Sequence, residues 1–430
     1  MIKLFHSIKP LSELLRSKTA VNTYFVIGGN FLSAVLAFVF TYIATKALTK
    51  ADFGYFSAML SLSLLVSDLS DFGIGSSLSA FLPALENQKD KLLQFLKSSF
   101  LVQFTIMIGM GVVLFIFSHI LAQTIFHDIG KIGLIYITIV YALVNIISNF
   151  FQYTLSARQK FYQVAFLSSY SSAIRVLLLA VLIILSLNTV SGVLWLHVAT
   201  FSITGLTALY FLKSDYIFYR HSLADARKLV GFAYHLGIAR GLTALASRLD
   251  VLMLMALLSP QVGPLETADY AVASKVVSIY PLFAGSFSTV IAPKLSVITD
   301  QNQLKNFMIK VSFGTLSLIG TIIVMIILAD TFMTLLFTKA ATAPFQLLLV
   351  SMIFFVASIP IVSLVIYYLK KPKVLSVNSI LQVIIVIVGN FILIPKFGKL
   401  GPAISLILSY GITLFTTAFY ALIELKRKHA

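Results

Sequence analysis

Cysteine is absent from this chain of 430 residues, and charge is scarce, with Asp, Glu, Lys and Arg together at 11%. Without cysteine there is no disulfide framework, no thiol nucleophile and no Cys-ligated metal. The seven histidines are scattered, with no HExxH spacing, so neither a metal nor another cofactor is expected. No Gly-rich phosphate loop, GxSxG elbow or kinase-type motif set is present, which argues against a soluble enzyme. The single tryptophan, Trp195, lies inside an apolar run and offers no sugar-stacking platform by itself.

What is there is hydrophobic. Residues of the AVILMFWYC set reach 59% and the mean hydropathy is +0.98. A soluble domain carries about a quarter charged residues. A chain with half that charge cannot cover a globular surface with polar groups, so its main solvent is lipid. A membrane-crossing helix needs about 20 apolar residues. Twelve such runs are expected, over 21–47, 53–82, 97–122, 131–155, 162–187, 191–212, 229–258, 268–297, 307–330, 343–369, 374–395 and 401–424. Leu177 to Ile184 does not alternate, which argues against a barrel. The basic stretch 1–18 is expected as an interfacial helix rather than a cleaved signal, because the following apolar run is too long.

The net charge of +17 would suggest nucleic acid on a soluble chain, but its placement follows the expected membrane. With the amino terminus inside, 22 of the 32 Lys and Arg fall on the inner side and six on the outer. Both termini are therefore expected in the cytoplasm, with the anionic inner leaflet as partner of the charge and no nucleic acid.

The longest break, 213–228, falls at mid-chain. The expected organisation is an all-α membrane protein of two six-helix bundles related by a pseudo-two-fold axis along the membrane normal. Residues 1–20 form the amphipathic segment, 21–212 the first bundle, 213–228 the linker, 229–424 the second bundle and 425–430 a basic tail. Ala51-Asp52-Phe53 before Ser57 and Ala268-Asp269-Tyr270 before Ser274 repeat at an offset of 217. Parallel halves of this kind occur in secondary transporters. The plain reading of Asp52 and Asp269 is helix capping at the outer surface.

Seven charges lie within expected spans: Arg175, Arg240, Arg248, Lys275, Asp68, Asp71 and Asp250. Each would cost roughly 2.5–3.5 kcal/mol facing lipid at a helix centre. They must face a wet cavity or one another. Asp68 is central in span 2 with Asp71 one turn on, and Arg175 is central in span 5. Gly237, Arg240, Gly241, Ala244, Ser247 and Arg248 form a small-and-polar stripe on span 7, suited to a cavity or a tight helix contact. Arg175, Arg240, Arg248 and Lys275 are the candidate substrate-binding cations, and Asp68, Asp71 and Asp250 the coupling or ion-pair candidates. The bland alternative is cross-helix pairing, with Asp250 solvated near the outer end and Lys275 snorkelling outward. His235, Asn145, Asn149, Gln382 and Asn390 read as interhelical hydrogen-bond partners. A cationic cavity calls for an anionic substrate, and the arginine fork suits phosphate.

Two motif blocks carry a family resemblance: Ala51-Asp52-Phe53-Gly54-Tyr55-Phe56 with Ser70-Asp71-Phe72-Gly73-Ile74-Gly75, and Asn390-Phe391 with Ile394-Pro395, Gly398, Gly401, Pro402 and Ala403. On these the chain resembles the Wzx-type polysaccharide flippases of the multidrug/oligosaccharidyl-lipid/polysaccharide superfamily, Pro402 standing where that family more often has Ala. The resemblance implies alternating access between two bundles in a bacterial inner membrane. It implies a flippase for a polyprenyl-diphosphate-linked oligosaccharide used in O-antigen or capsule synthesis. Its partners would be that lipid-linked substrate, the phospholipid bilayer and polysaccharide polymerase machinery. Coupling to H+ or Na+ would fall to an acidic residue, Asp68 or Asp71, or these would compete for arginine to release the head group. Three alternatives stand beside it, the first a peptidoglycan-precursor flippase of the same superfamily, a group that usually has extra spans beyond twelve. A multidrug/cation antiporter on the same fold is disfavoured by an acid-free span 1. A membrane glycan polymerase is disfavoured by the short, nearly uncharged outer loops.

Overall fold

The computed structural model describes residues 18–213, 215–298, 300–371 and 373–429. The expected interfacial helix over 1–18 therefore falls, but for Lys18, outside the described residues. Every regular element in the described residues is helical. Lipid offers no hydrogen-bond partner for an open backbone, so the helix is the form an apolar run takes there.

The first half contains α1 (Lys18–Ala47), α2 (Lys50–Asp71), α3 (Ile74–Leu85), α4 (Lys89–Ile116), α5 (Ser118–Thr124), a 3-10 turn (Ile129–Lys131), α6 (Ile132–Ala157), α7 (Phe161–Ile184) and α8 (Val190–Leu212). The second contains α9 (Leu223–Leu257), α10 (Gly263–Val277), α11 (Ile279–Val297), α12 (Gln301–Ile327), α13 (Ala329–Leu336), a 3-10 turn (Lys339–Ala341), α14 (Thr342–Ser363) with a π turn (Leu364–Tyr368), α15 (Lys373–Phe397) and α16 (Leu400–His429). The order repeats: one long helix, two broken pairs, a 3-10 turn and three long helices. The helix pairing repeats with it. α1 packs on α7 as α9 packs on α15, α6 on α8 as α14 on α16, and α7 on α8 as α15 on α16.

The repeat corrects the register read from the sequence. Lys50 and Gly263 start equivalent helices 213 apart, and Ile132 and Thr342 do so 210 apart, not 217. Asp52 and Asp269 are thus not equivalent. Asp52 belongs to the cap of α2, where the Thr49 hydroxyl accepts from its backbone N–H and donates to its carboxylate at 2.7 Å. Asp269 lies a turn deeper in α10 and is buried.

Among the described residues ten segments are long and apolar enough to cross a membrane, where twelve were expected. The shortfall is in α9, α10 and α11. α9 runs for 35 residues but carries Arg240, Arg248 and Asp250, and α10 and α11 are 15 and 19 residues long. The two expected spans at 53–82 and 268–297 are not continuous either. The first breaks between Asp71 and Ile74, where Phe72 and Gly73 are both left-handed, and the second at Ser278. The first break is satisfied from within: Gln103 donates to the Ser70 carbonyl at 2.9 Å, and Ser77 Oγ to the Gly73 carbonyl at 3.0 Å. The expected linker is shortened by α9, whose first turn is capped by Ser222. What precedes it is fastened to α4. Ser222 N donates to Ser98 Oγ at 2.8 Å, and Tyr219 donates to Asp90, which holds the phenol proton on more tightly than usual. α16 continues through the expected tail to His429.

α2 is the pivot of the molecule. Its apolar window is 72% buried, against 17% for α1 and for α12. It packs on α6 of its own half and on α9 and α10 of the other. Leu62, Leu65 and Val66 of α2 share one cluster with Ala142 of α6 and with Ala244 and Leu252 of α9. The approach is close because of two glycines. A Cβ on Gly54 would overlap the Pro264 carbonyl oxygen, and one on Gly237 would stand 2.6 Å from the Phe72 carbonyl oxygen. Gly54→Val should therefore lower the thermal stability of the detergent-purified protein by about 1–3 kcal/mol or more through overpacking against backbone. Gly109, which has no neighbour within 4 Å, is the control, and its change to Ala should leave the melting temperature unchanged or raised.

Candidate functional site

The seam around α2 has two ends. On the distal face, where the connections 48–49, 258–262, 337–341 and 398–399 meet, Lys50 Nζ lies 2.9 Å from Asp269 Oδ2. Lys399 Nζ reaches the same oxygen at 2.6 Å, and its backbone N–H donates to Glu266 at 2.7 Å. Toward the terminal face, where α1 begins and α16 ends, Arg240 Nη1 lies 2.7 Å from Asp71 Oδ2 at the α2–α3 break. Asp71 Oδ1 accepts from Gly75 N at 3.0 Å, so the same carboxylate caps α3 and binds α9.

The sequence-derived cations divide accordingly. The stripe on α9 meets α2 as a tight helix contact: Gly237 against Phe72, Gly241 beside Leu69, Arg240 on Asp71. Arg248 Nε approaches Asp68 Oδ2 at 3.5 Å, a looser pair with both side chains more than a third exposed. The counter-charge that α9 itself lacks comes from α2, at the two aspartates one turn apart.

Arg175 and Lys275 have no acidic partner within 4 Å among the described residues. Arg175 donates through Nη2 to Ser172 Oγ at 3.0 Å and lies over the Phe201 ring at 6.0 Å, while its Nε–H is buried without a hydrogen bond. The charged groups that act on Lys275 are Arg248 and Arg175, both positive. Lys275 sits one turn from the α10–α11 break, as Asp68 and Asp71 sit beside the α2–α3 break. Broken helices of this kind place polar groups at mid-membrane in transporters. Of the three cations, Arg248 alone has a carboxylate within 4 Å, Asp68, among the described residues.

Asp250 stands apart, and the expectation of solvation near the outer end is corrected. It is buried at 4% exposure. It accepts from the Tyr270 hydroxyl and, at 2.7 Å, from Val251 N. Several expected hydrogen bonds are present. Asn149 donates to Ser67 at 3.4 Å, Gln382 to Thr413 at 3.4 Å and Asn390 to Met253 Sδ at 3.8 Å. Asn145 is buried, and the side chain of His235 is outside the described residues. Trp195 is 51% exposed, on the outside of α8. The distal cluster of Lys50, Glu266, Asp269 and Lys399 was missed. Its signal was one acid just before the eighth apolar stretch and one at its start, Glu266 and Asp269, with lysines at two connections on the same face.

Beside the Asp71–Arg240 pair an apolar cavity of about 470 Å³ opens at the seam, lined by Phe72, Ile74, Leu101, Ile106, Val230 and Ala233 among others.

Long apolar helices, broken spans and a repeated order of elements define a multi-pass membrane protein. The chain belongs to the polysaccharide biosynthesis protein family, which it matches over residues 20–299. Among solved structures it is similar to the lipid II flippase MurJ in an inward closed conformation, at 16% identity and a TM-score of 0.73, over 93% of this chain and 87% of that one. It is also similar to an inward-facing multidrug resistance MATE family transporter of the MOP superfamily, at 13% and 0.72, over 92% and 95%. A MOP superfamily transporter from Pyrococcus furiosus, described as having a binding pocket of reversed polarity, follows at 11% and 0.58, over 94% of each chain. At these identities the likeness establishes the fold. No curated protein matches the chain at a significant level. The fold is the one that these flippase and transporter structures share.

The contacts at the seam are not equal. In a double-mutant cycle on thermal stability, Arg240→Gln with Asp71→Asn should show a coupling of about 1–3 kcal/mol, as for a charge-assisted hydrogen bond to a buried carboxylate. Arg248→Gln with Asp68→Asn should give less than about 1 kcal/mol, as for an exposed pair.

Proposed function

We propose that this protein is a flippase that carries a lipid-diphosphate-linked oligosaccharide from the cytoplasmic to the outer leaflet of the bacterial inner membrane, for surface polysaccharide synthesis. The observation that carries this reading is that Arg175 and Lys275 have no acidic partner within 4 Å among the described residues, while the charges acting on Lys275 are the cations Arg248 and Arg175. Such a cluster is short of negative charge, and a diphosphate supplies it. A guanidinium fork meets two phosphate oxygens at once, and the unsatisfied Nε–H of Arg175 is a donor with no other use. Family membership and the lipid II flippase as a structural neighbour support a lipid-linked substrate. The apolar cavity beside Asp71 suits the first isoprene units of a tail that stays in the bilayer.

In this reading the chain crosses the membrane twelve times, as two six-helix bundles over 21–212 and 229–424. The repeated element order and helix pairing support the division. The charge on α9 to α11 is tolerated there because these helices pack on α2 and one another. The terminal face, rich in Lys and Arg, is cytoplasmic. The head group enters at that face, the cations offset the cost of two phosphates at mid-membrane, and the halves rock to release it outward. Asp250, buried with Tyr270, and the seam acids Asp68 and Asp71 are the groups on which a coupling proton or sodium ion would act. The polymerase that joins the exported units would be a functional partner.

Deletion in the source organism should abolish surface polysaccharide and build up lipid-diphosphate glycan on the cytoplasmic leaflet. Arg175→Gln, Arg248→Gln or Lys275→Met, at normal protein level, should reduce export about ten- to a hundredfold, as loss of a charge-assisted hydrogen bond of ~1.5–3 kcal/mol implies. Lipid extraction and surface-glycan staining measure both. Intact surface glycan with altered tolerance only to cationic drugs would instead make the protein an antiporter.

A further inference from the structure

The two ion pairs across the seam are built on one plan, although one lies at the distal face and the other toward the terminal face, at the α2–α3 break. On the distal face the first half supplies the cation, Lys50, and the second half the carboxylate, Asp269. On the terminal face the roles are exchanged: the first half supplies Asp71 and the second Arg240. In each pair the carboxylate is the buried member, with side-chain exposures of 2% for Asp269 and 10% for Asp71. In each pair the cation is the wetter one, at 41% for Lys50 and 46% for Arg240. A backbone contact through glycine stands in the same helix-helix interface, Gly54 on Pro264 distally and Gly237 on Phe72 at the terminal face.

Each carboxylate also has a second donor from its own half. Asp269 is bound by Lys399 Nζ at 2.6 Å, with Thr338 Oγ1 at 3.4 Å. Asp71 is bound by Gly75 N at the start of the twelve-residue helix α3. A buried charge that loses its sole partner is strongly destabilised. A carboxylate that keeps a charge-assisted donor when its cross-seam cation leaves avoids most of that cost. The departing cation, already half exposed, moves into water at little loss.

We propose that Lys50–Asp269 and Arg240–Asp71 are two releasable locks that open in alternation, and that Lys399 is the standby partner that lets the distal lock open. This rests on the reading that the halves move by alternating access. It adds which contacts part, which side chain leaves and which stays. Lys399 is assigned a role opposite to that of a brace: it lowers the cost of separation instead of holding the halves together.

The natural absence of cysteine makes the test direct. Single cysteines at Leu48, two residues before Lys50, and at Ala233, one turn before Gly237, report the two ends of the seam, both positions being buried. Labelling by a membrane-impermeant maleimide is followed in vesicles of each orientation. Lys50→Gln should raise labelling at position 48 by about five- to tenfold and lower it at position 233, and Arg240→Gln should do the reverse. Lys50→Arg should keep the parent pattern. Lys399→Met should lower labelling at position 48, because Lys50 is then the one cation left on Asp269 among the described residues. Increased labelling at position 48 in Lys399→Met would overturn the standby role. Labelling that rises at both positions in Lys50→Gln, as in a loosened or misfolded protein, or at neither, would overturn the locks. No substrate enters this measurement. Opposed labelling changes with untouched surface glycan would keep the locks and refute the flippase reading, and the converse result would separate them the other way.

Discussion

Everything in this protein depends on keeping charge out of hydrocarbon. Seven ionisable side chains lie in stretches that otherwise read as lipid-exposed. The fold answers by gathering most of them along one buried helix. α2 brings Asp68 and Asp71 to the arginines of α9, and its first turn brings Lys50 to Asp269 of α10. The helices that are too charged to cross alone, α9 and α10, are the ones α2 packs against. Membrane stability and the joining of the halves are thus the same set of interactions.

That arrangement leaves a graded inventory of charge. Asp269 and Asp71 are fully engaged, with more than one donor each. The Arg248–Asp68 pair is loose. Arg175 and Lys275 have positive neighbours and no carboxylate within pairing distance among the described residues. Gradation of this kind separates scaffolding from site. The tight pairs sit at the two ends of the seam, where the halves meet backbone to backbone. The unsatisfied cations are Lys275, one turn from the α10–α11 break, and Arg175 on α7 of the first half.

The second structural theme is repetition without identity. Both halves share the order of long, broken and 3-10 elements. The first breaks its second span at Phe72 and Gly73 in the left-handed region; the second does so at Ser278 in ordinary helical geometry. A bulky residue with positive φ is strained, and its persistence here is paired with the closest backbone approach on the terminal face. The two halves carry the same architecture with opposite charge at the seam, which is what allows them to pair across it.

Composition and run length by themselves determined that the chain is an all-helical membrane protein, because both depend only on how many residues lipid must solvate. The motif blocks around Asp52 and Asn390 pointed to the family, and an unpaired charge in an apolar run marked Arg175, Arg240, Arg248, Lys275 and the three aspartates as unusual. The sequence could not say which of these pair, since Arg240 and Asp71 are 169 residues apart and a one-turn error in helix register exchanges partners. That same error misaligned the repeat and turned Asp269 from a buried ion-pair centre into a surface cap. It could not see the breaks at Phe72 and Ser278, because neither interrupts the run of apolar residues. Only the tertiary structure decided that the arginines of α9 find their carboxylates on α2, that Asp250 turns to Tyr270, and that Arg175 and Lys275 are left without one. Pairing depends on distance in space, and distance in space is set by packing between helices that the chain order does not bring together.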